Sequence, residues 1–426
     1  MLFSCIEKLR EAGLYPKGIV CDQGPNFLAL AKLLCISPEH TSFTVGASKE
    51  EVFFMFDVPH LMKSVRNNLM KAPMMFNDGK EARWEHIVEF YKKDCKQRFK
   101  LAPKLTRHHI YPSNFKKMKV KLATQVFNHT VAAGIYTRAS CNEISTKALE
   151  TAEFLEDFDA LFEICNSWKV FDSKRFRRAY KGTSAQEIHL NKMKALLETI
   201  KVLDNNERDV TTKIKYIKGW LIPINSIKQI FAALQSEEFK FLLTRNLNQD
   251  GLEHTFGVLR KRGGNNHNLT PYQFTVAFKR LFSLKYLEIL KTGNCEVQTE
   301  WSLPTVSLNI PNVTAAPPVI HAMPSVGDIQ EMDINERNAL SYVGGYIYKR
   351  FQKSHPCSKQ HTITDSVETV YTHFRQYEGC NLYYAPEEFM TYLLQLEDEF
   401  CKHFGALKAS KMLYASLIAA LGQYHI

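Results

Sequence analysis

Strand-forming sequence is scarce in this 426-residue chain and confined to its beginning. Residues 17–21 (with Ile19, Val20 and Cys21) and Val52-Phe53-Phe54-Met55-Phe56 are the two apolar runs that read as buried strands. Around them lie three helical patterns. Residues 3–13 are amphipathic and stop at Gly13, residues 25–35 carry Phe27, Leu28, Leu30, Leu33 and Leu34, and a third helix opens at Pro59 and runs to about Met70. From residue 80 to about 245 helical spacing dominates, as in Trp84, Ile87, Val88, Phe90 and Tyr91, or Phe158, Leu161, Phe162 and Cys165. The fold class that follows is mixed α/β, mostly α. Two strands alone do not make a stable sheet, since three or more are normally needed. The reading therefore expects further strand sequence, upstream of Met1 or supplied by something else.

Two stretches offer carboxylates in settings that suit chemistry. Asp22 ends the first apolar run and is followed by Gly24-Pro25, so it reads as a strand-end side chain aimed at a site. Glu253 lies among Leu252, Phe256 and Leu259, which recur at helical spacing. Carboxylates at a strand end and on a helix are what a divalent-metal phosphoryl-transfer site uses. The plain alternative for Asp22 is a turn former. Asp57, after the second strand and before Pro59, reads as a helix cap.

The order and spacing of three motifs carry a resemblance. They are Asp22-Gln23-Gly24 with Asn26, then Phe56-Asp57-Val58-Pro59-His60-Leu61 with Lys63 and Arg66-Asn67-Asn68-Leu69, then Asn248-Gln249-Asp250 with Leu252-Glu253, Phe256-Gly257, Arg260 and Gly263-Gly264. Together they resemble the P-element family of transposases, which includes the THAP-type transposases of animals, over about residues 1–285. The resemblance implies an RNase H-like (retroviral integrase-type) core interrupted by a large all-α GTP-binding insertion, with a helical C-terminal domain. The segments are then 1–79 (core, first part, without its first three strands), 80–245 (insertion), 246–295 (core, second part), 296–333 (linker) and 334–426 (C-terminal domain). The linker assignment also rests on lost periodicity and on Pro304, Pro311, Pro317, Pro318 and Pro324.

By the same resemblance, Asp22 and Glu253 match the second and third of three acidic residues that hold Mg²⁺ and cut DNA. The first has no counterpart here, and a metal site with two carboxylates of three is weak. The chain as it stands is expected not to cut DNA by itself. No G-x-x-x-x-G-K-[ST] loop occurs, so GTP binding needs another geometry. The resemblance assigns it to Lys104, Lys119, Val120, Phe162, Glu163, Asn166 and Asp250. Lysines suit phosphates, Phe162 suits a base face, and Glu163 and Asp250 can accept from the N–H edge of guanine. Glu163 stands where the family usually has Asp.

The net charge of +11 favours a polyanion, nucleic acid first, although it also serves solubility. Lys63 and Arg66 share a helix face, and Arg260, Lys261 and Arg262 follow Glu253 into a glycine turn. These five are the expected DNA contacts, with helix capping as the alternative for the last three. Arg175, Arg177, Arg178 and Lys181 form another basic cluster. The implied partners are DNA (transposon ends and target) and GTP, in a homo-oligomer when full length, in the nucleus. No run of apolar residues is long enough for a membrane helix. The ten cysteines have no paired spacing, which suits reduced thiols. His355, Cys357 and His361 make only a thin zinc case. Tyr342-Val343-Gly344-Gly345-Tyr346-Ile347 reads as a close helix contact made through glycines. A second reading, of a different class, is a domesticated, catalytically inactive GTP- and nucleic-acid-binding protein.

Overall fold

The computed structural model describes residues 1–46, 49–204, 208–262, 266, 268–291, 332–354, 366–377 and 382–404. They form two compact units: residues 1–249 with 330–398, and residues 250–329 with 399–426.

The first unit begins as the hydrophobic pattern dictates. Helix α1 (Leu2–Glu11) ends before Gly13, which takes φ +79, and strand β1 (Gly18–Cys21) follows. Helix α2 (Pro25–Leu33) has its proline in the first turn, where a missing N–H costs nothing. Strand β3 (Glu50–Phe56) is buried from Val52 onward, and helix α3 (Val58–Leu69) starts at the Asp57 cap. Between α2 and β3 lies a strand that the sequence reading lacks, β2 (Ser42–Val45). The sheet is thus three-stranded in the order β1-β3-β2, not two-stranded. β1 is parallel to β3 with Gly18 opposite Phe53, and β2 is antiparallel to it with Ser42 opposite Phe53. Phe43 and Val45 point into a small core with Ile6 and Val52.

The sheet is covered by a helix from far along the chain, α11 (Lys215–Gln235). Ser226 Oγ donates to the Phe54 carbonyl at 2.7 Å, and Thr41 Oγ1 donates to Gln229 Oε1 at 2.5 Å. Everything between α3 and α11 is inserted between the sheet and the helix that covers it.

That insertion is not purely helical. Strands β4 (Met74–Phe76), β5 (Lys80–Ala82) and β6 (Lys201–Val202) make a small antiparallel sheet in the order β5-β4-β6. Met74 pairs with Val202, so the two ends of the insertion are stapled together. The helices are α4 (Trp84–Asp94), α5 (Arg107–Ile110), α6 (Asn114–Lys117), α7 (Val120–Val126), α8 (His129–Ser140), α9 (Ala148–Cys165) and α10 (Ser184–Thr199). Phe154 and Phe158 of α9 pack tilted or edge-to-face against Phe76, Phe127 and Trp220 to form its centre.

In the second unit, α12 (Asp250–Arg262) and α13 (Pro271–Lys291) pack through Phe256 and Phe274. Helices α14 (Ile334–Ser354), α15 (Val370–Arg375) and α16 (Glu387–Phe404) follow. Up to Asp398 they group with the first unit. Tyr371 of α15 donates its hydroxyl to the Leu101 carbonyl at 2.6 Å, and Arg375 Nη1 donates to Thr130 Oγ1 at 2.6 Å. Nearly all of the expected linker lies outside the described residues, as do His355, Cys357 and His361. No described helix is long and apolar enough to cross a membrane.

Candidate nucleotide and metal site residues

Asp22 stands at the C-terminal end of β1, the position a strand-end carboxylate needs. Its Oδ1 accepts the Gly24 amide at 2.8 Å, so it is also the turn former that the sequence allows. Gln23 beside it donates to the Lys215 carbonyl at 3.1 Å and lies so close to α11 that a Cβ at Gly219 would meet its amide nitrogen at 2.1 Å. The glycine is what lets this turn seat against α11. Cys21 is buried beside Asp22 and Asp57. Burial first, then those two carboxylates, push its thiol up to about 12, so it is not a reactive thiolate.

Asp57 is the cap that the sequence predicts. Its Oδ2 accepts the His60 amide at 3.0 Å and its Oδ1 accepts the Gln249 amide at 2.6 Å. Gln249 also donates to the Val20 carbonyl at 3.5 Å. The residue that immediately precedes α12 is thereby fixed to β1 and to the start of α3. Glu253 lies in the first turn of α12 and is exposed. Asp22 and Glu253 fall in separate compact units. Among the described residues no three His, Cys, Asp or Glu side chains are gathered as for a metal ion.

Phe162 and Glu163 occupy the last turn of α9, and Asn166 is its C-cap. Phe162 is half-buried against the core. Glu163 is nearly buried and its Oε1 accepts from Arg177 Nε at 2.7 Å and Lys174 Nζ at 3.2 Å. Asn166 Oδ1 accepts from Asn248 at 2.8 Å, which ties the end of α9 to the segment leading to Asp250. One turn back, Asp159 accepts the His129 amide at 2.9 Å. Burial, and after it the Glu163 charge, push its carboxyl up to about 7. Lys174 also sits 4.4 Å from the Tyr377 ring, which stacks on His129. Sequence reasoning missed Lys174, Asp159, His129 and Tyr377. The one available signal was the basic cluster after α9. Within that cluster Arg177 is spent on Glu163, and Arg178 donates to the Asp172 carbonyl at 2.7 Å.

The two expected phosphate lysines are exposed on loops pinned from beneath. The loop holding Lys104 is gripped by buried Asp94, whose oxygens accept the Leu101 and Ala102 amides at 2.9 and 3.2 Å. Lys119 is the N-cap residue of α7 and Val120 its first, half-buried residue. The two loops are linked through α5 and α7 by His109 Nε2 and Gln125 Oε1 at 2.9 Å.

One expected DNA contact is corrected. Arg66 is fully buried, and its Nη2 donates to the Lys117 carbonyl at the end of α6. Burial lowers its guanidinium to about 10. It therefore braces the segment carrying Lys119 rather than sharing an outer face with Lys63, which is half-exposed. Arg260 and Lys261 are exposed on α12, with Arg260 6.0 Å from the Phe256 ring. The side chain of Arg262 lies outside the described residues.

Comparison with known proteins bears on these residues. The TNP-like, GTP-binding insertion domain matches residues 59–179, and the TNP-like, RNase H C-terminal domain matches residues 246–279. The "Transposable element P transposase" of Drosophila melanogaster is 29% identical over 378 residues, covering 85% of this chain and 49% of that protein. The human "DNA transposase THAP9" is 24% identical over 277 residues, covering 60% of this chain and 29% of that one. The chain thus spans about half the length of one of these relatives and under a third of the other. The solved "Drosophila P element transposase strand transfer complex" superposes with a TM-score of 0.58 at 29% identity, over 69% of this chain and 64% of that one. The chain is a homologue of P element transposase that carries a TNP-like GTP-binding insertion domain and a TNP-like RNase H C-terminal domain.

Proposed function

We propose that this chain is the GTP-binding and core part of a P-element-type DNA transposase, acting on transposon ends and target DNA in the nucleus, as a homo-oligomer when full length. The observation that carries the reading is the paired match of the two domain families, one over residues 59–179 and one over residues 246–279, the second of which contains Glu253. Asp22 and Glu253 are the carboxylates that would hold Mg²⁺. When bound, the metal supplies charge neutralisation at the phosphate that is cut or joined. Asp57 has a positioning role within the first unit, since its carboxylate holds the Gln249 amide.

In this reading GTP is bound and not used as fuel. Lys104 and Lys119 meet the phosphates as point charges from their pinned loops. Phe162 offers a ring edge or face to the base, and Glu163 and Asp250 accept from guanine N–H groups that adenine lacks. Glu163 reaches the guanine with its charge partly offset by Lys174 and Arg177, which holds the carboxylate in one orientation. Lys63, Arg260, Lys261 and Arg262 serve the DNA backbone.

The test is twofold. Titration with GTP should give saturable binding that ATP does not match and that Phe162→Ala or Lys104→Ala weakens; absence of binding sinks the nucleotide reading. Mg²⁺-dependent nicking or joining of DNA, lost in Glu253→Ala, belongs to the enzyme. The second reading is an inactive GTP- and DNA-binding descendant. It predicts both kinds of binding with no metal-dependent cleavage.

A further inference from the structure

Helix α14 carries a groove that the residues above leave unused. Tyr342, Gly345, Tyr346, Lys349, Arg350 and Lys353 recur at spacings of three and one along the helix, so they share one face. Leu382 and Tyr383 form the opposite wall of a cavity of about 300 Å³. The walls are close because Gly345 has no side chain: a Cβ there would meet the Tyr383 carbonyl oxygen at 1.9 Å.

The groove alternates rings and cations. Tyr346 is 58% exposed, and Arg350 lies 5.2 Å from its ring centroid. Lys349 lies 4.5 Å from the Tyr383 ring. Lys349, Arg350 and Lys353 are exposed, and none is paired with a carboxylate among the described residues. Three such cations on one helical stripe call for a polyanion. Tyrosine rings between them call for flat partners at the same repeat, which are unpaired bases and not a double helix. A duplex hides its base faces, and a cleft of this volume takes one or two rings.

We infer that the α14 groove binds a single-stranded segment of DNA, with phosphates on Lys349, Arg350 and Lys353 and bases stacked on Tyr346 and Tyr383. The choice of DNA as the polymer rests on the transposase reading; the preference for a single strand rests on the groove.

The experiment is fluorescence anisotropy on the whole chain with a labelled oligo-dT, the matching dT·dA duplex and a poly-glutamate peptide. Tyr346→Ala should weaken oligo-dT binding roughly 10-fold and leave duplex binding unchanged. Replacing Lys349, Arg350 and Lys353 together by Ala should lower the slope of log affinity against log salt for oligo-dT by about 2, near 0.7 per phosphate lost. Because these side chains are exposed, unchanged thermal unfolding checks that the variants fold. Unchanged oligo-dT affinity in Tyr346→Ala overturns the inference even if duplex DNA binds, and leaves the transposase reading standing. Displacement of oligo-dT by the acidic peptide at equal concentration also overturns it, in favour of a protein partner. Failure to bind any DNA overturns this inference and the DNA reading together.

Discussion

The carboxylate of Asp57 accepts the backbone amide of Gln249 at 2.6 Å, across 192 residues of sequence. The same side chain, almost fully buried, caps α3 through the His60 amide. Asp57→Ala removes a helix cap and strands a half-buried N–H. Together these should cost about 2–4 kcal/mol of stability, read as a lower denaturation midpoint at constant m. Asp57→Asn keeps one acceptor and should cost less. A loss under 0.5 kcal/mol for the alanine variant would mean that the Gln249 contact contributes nothing.

Glu253→Ala should lower stability by no more than about 1 kcal/mol, since the side chain is exposed in the first turn of α12. If it is a metal ligand, Mg²⁺-dependent cleavage in a form of the protein that cleaves should fall by more than the roughly 10–100-fold that loss of an outer-shell partner costs a metal site. Asp22→Ala should match it in activity but also lose the Gly24 turn contact, with a small drop in stability. Retained cleavage in both variants would remove these residues from the metal site.

Asp159 gives stability a pH dependence of stated sign. Its carboxyl titrates near 7 in the folded chain and near 4 when unfolded. Between those values the native state holds the extra proton, so this group makes stability fall as pH rises, by on the order of 1 kcal/mol per unit. Asp159→Asn keeps an acceptor for the His129 amide and removes the titration. Its stability should therefore converge with the parent below about pH 4 and exceed it above pH 7. Parallel curves across that range would refute the assignment. His189 acts oppositely, as burial lowers its imidazole to about 4 and acid below about pH 6.5 destabilises the fold through it.

The paired glycines of α14 make a graded test. An added Cβ at Gly345 meets backbone, the Tyr383 carbonyl, whereas at Gly344 it meets the flexible Met390 thioether at 2.6 Å. Gly345→Ala should cost about 3 kcal/mol or more and Gly344→Ala nearer 1 kcal/mol, measured by chemical denaturation. Equal costs would show that the 383–384 segment can retreat.

Much of this was legible in the chain itself. The Gly344-Gly345 contact, the Asp57 cap and the β1, β3 and α1–α3 segments follow from local chemistry. β2 was hidden because Ser42-Phe43-Thr44-Val45 alternates only twice, below what periodicity distinguishes from a loop. The β4–β6 sheet was hidden for a like reason, its strands being two or three residues long. Arg66 looked like a surface cation because its spacing from Lys63 is helical. Its burial is decided by the Lys117 carbonyl, 51 residues on, and nothing local encodes that. Likewise the Glu163 ion pairs depend on the chain doubling back after α9.

The arrangement of β3 beneath α11 has a consequence for how the chain is made. Ser226 meets the Phe54 carbonyl 172 residues after that strand has been synthesised. At ribosomal rates of about 5–20 residues per second, the apolar strand waits roughly 10–30 s for its cover. During that interval the nascent chain presents Val52–Phe56 to its surroundings, a segment with the composition of an aggregation nucleus.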